Sequence, residues 1–132
     1  MTTEEEKQKK IDSIHIDFEK DNILPELNAE DLTELGKDSK PVLLKKVIIE
    51  RNLLRHPEID KNEYDYLLGQ ALYNTPAYFA GLKENYINLV CKINDKDNSL
   101  VLIEMSENKI NFEIIHLIKI NDNNLRRMKK RS

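Results

Sequence analysis

Residues 86–120, YINLVCKINDKDNSLVLIEMSENKINFEIIHLIKI, decide the fold. Three apolar runs rich in Ile, Leu and Val are parted by two short polar breaks. The breaks, DKDN at 95–98 and ENK at 107–109, hold Asp and Asn, whose side chains bond their own backbone in tight turns. Connections this short join antiparallel strands. The pattern predicts strands over 86–94, 99–105 and 111–120. Working upstream, residues 77–80 read as a further short strand after Pro76. Residues 62–74 place Tyr66, Leu67, Leu68, Ala71 and Leu72 at helical spacing, with Asn62 and Asp65 at the N-terminal cap. An earlier helix over 45–55 carries Val47, Ile48, Ile49, Leu53 and Leu54. It stops at His56, because a residue preceding proline avoids the helical region. Residues 42–44 form a short strand ahead of it. The order predicts an α+β fold, with two helices packed on one face of an antiparallel sheet of about four strands.

Outward from this centre the signals weaken. Ile14, Ile16 and Phe18 alternate with polar residues, which predicts a strand over 13–18. Residues 22–28 contain Pro25 and read as a connection or short edge strand. Asn28 caps a short helix over 29–35 that Gly36 ends. Residues 2–10 have no apolar face and read as a loose end. At the other terminus, 121–124 is a polar break before a basic helical turn over 125–131. The chain divides into an acidic segment, 1–40, a central domain, 41–121, and a basic tail, 122–132.

The 132 residues suit one domain large enough to bury a core unaided. The net charge of −3 argues against an indiscriminate nucleic-acid binder. The charge is unevenly spread, however. Residues 1–35 hold eleven Asp/Glu and four Lys, a balance of −7, which leaves +4 for residues 36–132. Five of the last seven residues are Lys or Arg. An acidic front thus precedes a mildly basic body: a solvated acidic helix and a basic tail, or a phosphate site partly masked by the acidic segment. Cys91 is alone, so no internal disulfide and no Cys-based zinc site forms. No apolar run is long enough for a membrane span and no secretory signal core opens the chain, so a cytoplasmic location is expected. Scattered glycines exclude a phosphate loop. His15, His56 and His116 lack the spacing of a helix-borne metal site, and DKDN lacks the remainder of a calcium loop, so no metal and no cofactor is expected.

Residues 42–79 read VLLKKVIIERNLLRHPEI and, further on, EYDYLLGQALYNTPAYF. Arg55-His56-Pro57 closes one helix, and Asn74-x-Pro76-x-Tyr78 follows the next. These elements resemble phage-associated nuclease-like domains of the barnase–EndoU–colicin–RelE group, over about residues 42–120. The resemblance implies two helices before a four-stranded antiparallel sheet. It also implies, in active members, a metal-independent ribonuclease. That chemistry needs a base for the ribose 2′-OH, an acid for the leaving oxygen, and cations for the phosphate.

The candidate catalytic residues are His56, His116, Arg55 and Arg51. His56 either transfers a proton or caps the end of its helix. Arg51 and Arg55, four apart, either clamp one phosphate or lie solvated, with Arg51 pairing Glu50 or Asp60. By period two, His116 shares a face with Phe112, Ile114, Ile118 and Ile120, either as a core histidine or at a cleft. Tyr78 stacks on a base or covers the helix–sheet junction. Lys92, Arg126 and Arg127 offer cations to RNA or simply face solvent. Two functions follow as expectations. One is an RNA-cleaving domain of a bacterial or phage protein. The other is an inactive relative that binds a cognate immunity or phage protein, its acidic front facing a basic partner.

Overall fold

The computed structural model describes residues 2–131. The chain runs α1 (Glu4–Asp12), β1 (Asn22–Leu24), α2 (Ala29–Leu35), β2 (Val42–Leu44), α3 (Lys46–Arg55), a 3-10 turn at Lys61–Glu63, α4 (Tyr64–Tyr73), β3 (Ala77–Ala80), β4 (Tyr86–Lys92), β5 (Asp97–Glu104), β6 (Phe112–Asn121) and α5 (Asp122–Lys130). The α+β class is as the pattern predicts, and the three-strand meander forms with its antiparallel pairs. The sheet is larger than expected. It has six strands in the order β1-β2-β6-β5-β4-β3. It is also mixed: β2 lies parallel to β6, with Val42 opposite Phe112, while β1 pairs antiparallel with β2. The parallel pair is made possible by the long α3–α4–meander excursion between its strands. Val42 and Leu44 are fully buried there.

α4 is the centre of the core. Leu67, Leu68, Ala71, Leu72 and Tyr73 have no exposed surface, and truncating one such leucine to alanine costs about 2–5 kcal/mol. Its start differs from the expected Asn62 cap. The 3-10 turn Lys61–Glu63 leads into α4, and Asp60 caps that turn, accepting from Asn62 N at 2.8 Å, while Glu63 Oε1 accepts from Asp60 N at 3.3 Å to complete a capping box; α4 itself has no side-chain cap at Glu63. Ser99 on β5 donates to the Leu67 carbonyl at 2.6 Å and ties helix to sheet.

The first forty residues join the same core. Ile14, Ile16, Leu24, Leu27 and Leu32 are buried in one cluster with α4 and the sheet. The 13–18 strand does not form. Ile14 and Ile16 point inward, but Ile16 N–H donates to the Asp65 carboxylate at 3.2 Å rather than to a strand. α1 is not a loose end either. Its Ile11 rests on Gly69 of α4, where an added Cβ would lie only 3.0 Å from Ile11 Cγ2. Lys7, 7% exposed, reaches Thr75 Oγ1 at 2.9 Å and Glu30 at 3.2 Å. Asn28 sits at the N-cap of α2 but spends its amide on the Tyr73 carbonyl at 2.8 Å.

α5 departs from the expected polar break and late turn. Asn121 caps it directly by accepting from Asn124 N at 2.8 Å. It lies on the opposite face of the sheet from α4. There Leu125 joins Val90, Leu100 and Ile120 in a second, smaller cluster, with Phe79, Ile118 and Met128 packed on it.

Candidate functional site

The two sheet faces follow from strand alternation. Leu89, Val101 and Ile103 point to α4; Val90 and Leu100 point to α5. In β6 this alternation is broken. Leu102 pairs with His116 but Ile103 pairs with Ile114, so Ile115 is an extra residue, a β-bulge. Phe112, Ile114 and Leu117 therefore join the main core, while His116, Ile118 and Ile120 face the other way. This corrects the single face that period two assigned to Phe112, Ile114, His116, Ile118 and Ile120. One inserted residue moves everything after it to the other side.

The bulge delivers His116 to a groove of about 550 Å³ between the sheet and α5. Tyr86, Asn88, Leu102, Ile115 and Ile120 line its strand side, and Met128 its helix side. Lys83, Arg127 and Arg131 stand at its rim, all exposed. Among the described residues no carboxylate lines it, although the chain as a whole is acidic. The Lys83 ammonium lies 5.6 Å from the centre of the Tyr86 ring. Arg127 Nη1 donates to Asn124 Oδ1 at 3.4 Å. Burial holds the His116 imidazole below its ordinary pKa, and charge on His56 pushes the same way. Its Nε2 is covered and has no hydrogen-bond partner.

The other expected site residues are dispersed. His56 Nδ1 sits 3.1 Å from Glu58 Oε1, in a separate hollow with Asp97, Lys119 and Asn121. That hollow shares Ile120 and Asn124 with the groove as a common wall. Arg51 and Arg55 lie on the exposed side of α3, outside the groove lining. Tyr78 points to the α4 face, where burial and the carboxylate of Glu34 raise its phenol pKa. Lys92 is held by both oxygens of Asp122, at 2.9 and 2.8 Å, and Arg126 by Asn123 Oδ1. Of the eight, His116 and Arg127 share the groove. Among the described residues, none before Gly81 contributes to its lining, so the described part of the acidic front does not mask it; α1 packs on α4, across the sheet. Asn88, Tyr86 and Lys83 were not singled out from the sequence. The signal for two of them is present, since Tyr86, Asn88, Val90 and Lys92 alternate on one strand face and Asn88 interrupts apolar neighbours.

Among the described residues no cluster of His, Cys, Asp and Glu could hold a metal ion, and no helix is long and apolar enough to cross a membrane. Fold and groove together define a small α+β module with a cationic cleft on the less-covered face of its sheet. The family model for large polyvalent protein-associated domain 13 matches residues 7–132, and the chain belongs to that family. It is thus a polyvalent-protein-associated domain. Neither curated proteins nor solved structures yield a match.

Proposed function

We propose that this domain binds single-stranded RNA in the groove beneath α5. The observation that carries this reading is the lining itself, which among the described residues has three cations, no carboxylate, an aromatic ring and an apolar floor. Cations track the phosphate backbone, and ring and floor take unpaired bases. His116 enters as a neutral imidazole. Its Nε2 is covered and unpaired, and its ring adds to the groove wall.

A second reading keeps metal-independent cleavage by 2′-OH attack. It is favoured by the adjoining hollow, which sets His56 near enough to lower the His116 pKa. Acid–base cleavage needs two titrating groups at one phosphate, and the groove holds one imidazole.

One experiment separates these. The full chain is titrated into labelled mixed-sequence RNA and followed by fluorescence anisotropy at several salt concentrations, with the RNA afterwards run on a denaturing gel in EDTA. Salt-dependent binding is expected, with intact RNA. Replacing Arg127 and Arg131 together by alanine is expected to lower the salt slope by about 1.4, roughly 0.7 for each lost phosphate contact on a single strand. Cleavage that disappears in both His56→Ala and His116→Phe favours the second reading. Binding that is absent, or indifferent to the two arginines, refutes the first.

A further inference from the structure

Resting on the RNA reading above, the way α5 is fastened assigns a role to a residue outside the groove. Leu125 buries in the small cluster on that face of the sheet, but apolar burial is non-directional and leaves the helix free to swivel. Direction comes from Asp122, the first residue of α5. Its Oδ1 and Oδ2 accept from Lys92 Nζ on β4 at 2.9 and 2.8 Å. Oδ1 also accepts from Asn98 Nδ2 on β5 at 2.8 Å. The Asp122 N–H donates to the Lys96 carbonyl, in the β4–β5 turn, at 3.2 Å. Asn98 is 5% exposed and gives its amide to the Ile120 carbonyl as well, at 3.2 Å, so the donor is itself fixed. Lys92 and Asn98 hold the Asp122 carboxyl below its ordinary pKa. None of Asp122, Lys92 and Asn98 lines the groove.

We propose that Asp122 is the positioning residue of the RNA groove: it pins the first turn of α5 to β4, β5 and the turn between them, and so holds Arg127 and Arg131 over the bound phosphates. The lever is long. At about 1.5 Å per residue, Leu125 lies about 4.5 Å along the axis from Asp122, Arg127 about 7.5 Å and Arg131 about 13.5 Å. A tilt of about 15° at Asp122 thus carries Arg131 by about 3.5 Å, more than a hydrogen bond tolerates. Asn121 caps the helix by itself, accepting from Asn124 N at 2.8 Å. Loss of the Asp122 carboxylate therefore loosens where α5 points while leaving the helix formed.

The test reads a sign. The full chain, wild type and variants, is titrated into labelled mixed-sequence single-stranded RNA, and α5 is followed by amide hydrogen exchange without RNA. Removing a carboxylate and freeing Lys92 should tighten binding of a polyanion if electrostatics alone governs. Asp122→Ala is instead expected to weaken it, about two- to fivefold, since a half-exposed ion pair shifts an equilibrium by no more than about fivefold. Faster exchange over residues 125–130 and a lower salt slope should accompany the loss. With Arg127 and Arg131 already replaced by alanine, Asp122→Ala should weaken binding no further. Affinity that rises or stays level in Asp122→Ala, or a loss that adds in full to that of the arginines, overturns the positioning role and leaves the RNA reading standing, as does unchanged exchange over 125–130. A wild type that binds no RNA overturns both.

Discussion

Asp31 is a built-in weakness of the fold, and Asp31→Asn should make the protein more stable. The residue is 6% exposed, and its Oδ2 is buried without a partner. The neighbouring Asn28 Oδ1 is likewise buried and unpaired. Burial, reinforced by the charge of Glu30, lifts the carboxyl from 3.8 to about 6, against the pull of Lys7. At neutral pH that displacement costs the folded state about 3 kcal/mol. Asparagine keeps the shape and removes the charge. It also forfeits the helix-dipole interaction of an acid in the first turn of α2, worth about 0.3–1 kcal/mol. A net gain of about 2 kcal/mol is expected, or about 6–10 °C in Tm for a chain of this size.

The pH dependence follows from the direction of the shift. A group whose folded pKa lies above its unfolded one binds protons more tightly when folded. Its favourable contribution is therefore complete below 3.8 and lost as pH rises through about 6. The advantage of Asp31→Asn should be largest at about pH 7.5 and vanish towards pH 4. Glu30, held down at about 2, and His116, also lowered, push overall stability the opposite way as pH falls. They titrate in both proteins and largely cancel in the difference. Urea unfolding of wild type and variant across this pH range measures it. A variant less stable at neutral pH, or a difference indifferent to pH, would refute the account.

Two further substitutions probe the loops that join the sheet strands. Gly81→Ala would set a Cβ 2.8 Å from Tyr86 Cβ and 2.9 Å from the Tyr86 carbonyl oxygen. Overpacking of this kind costs about 1–3 kcal/mol, so a lower urea midpoint and weaker RNA binding are expected; an unchanged midpoint contradicts this. Lys40 donates to the carbonyls of Ser106, Glu107 and Lys109 at 3.0, 2.8 and 2.7 Å. Lys40→Met should cost about 1–3 kcal/mol and speed amide exchange in the β5–β6 loop; unaltered exchange there would show that the loop holds itself.

Where the sequence was legible, local chemistry and tertiary structure agree. Apolar runs between Asp- and Asn-rich turns became β4, β5 and β6, and the helical stripes became α3 and α4. The failures have separate causes. Alternation at Ile14 and Ile16 reports burial, not pairing, because the segment crosses α4 rather than a strand. α1 has little apolar face, and what docks it is a buried lysine and a facing glycine, which hydropathy does not register. The parallel β2–β6 pair joins residues distant in sequence and leaves no periodic mark. For the groove, His116 and Arg127 were legible as residue types, but their meeting depends on the Ile115 bulge and the course of α5. His56, conspicuous within Arg-His-Pro, ends up behind a shared wall.

The β2–β6 pair also sets the order in which the protein can form. Its first contact, Val42 with Phe112, closes a loop of 112 − 42 = 70 positions. Neighbouring hairpins close loops only a few residues long, and closure entropy grows with loop length. The β4–β5–β6 meander is thus the early event, and docking of β2 a late one. Until Phe112 has left the ribosome, β2 can pair with β1 alone, and Ile14, Ile16 and Leu24 lack the complete core that buries them. The amino-terminal third of the domain is made first and finished last, so its apolar side chains wait longest for cover, and transiently exposed apolar surface of this kind is what aggregates.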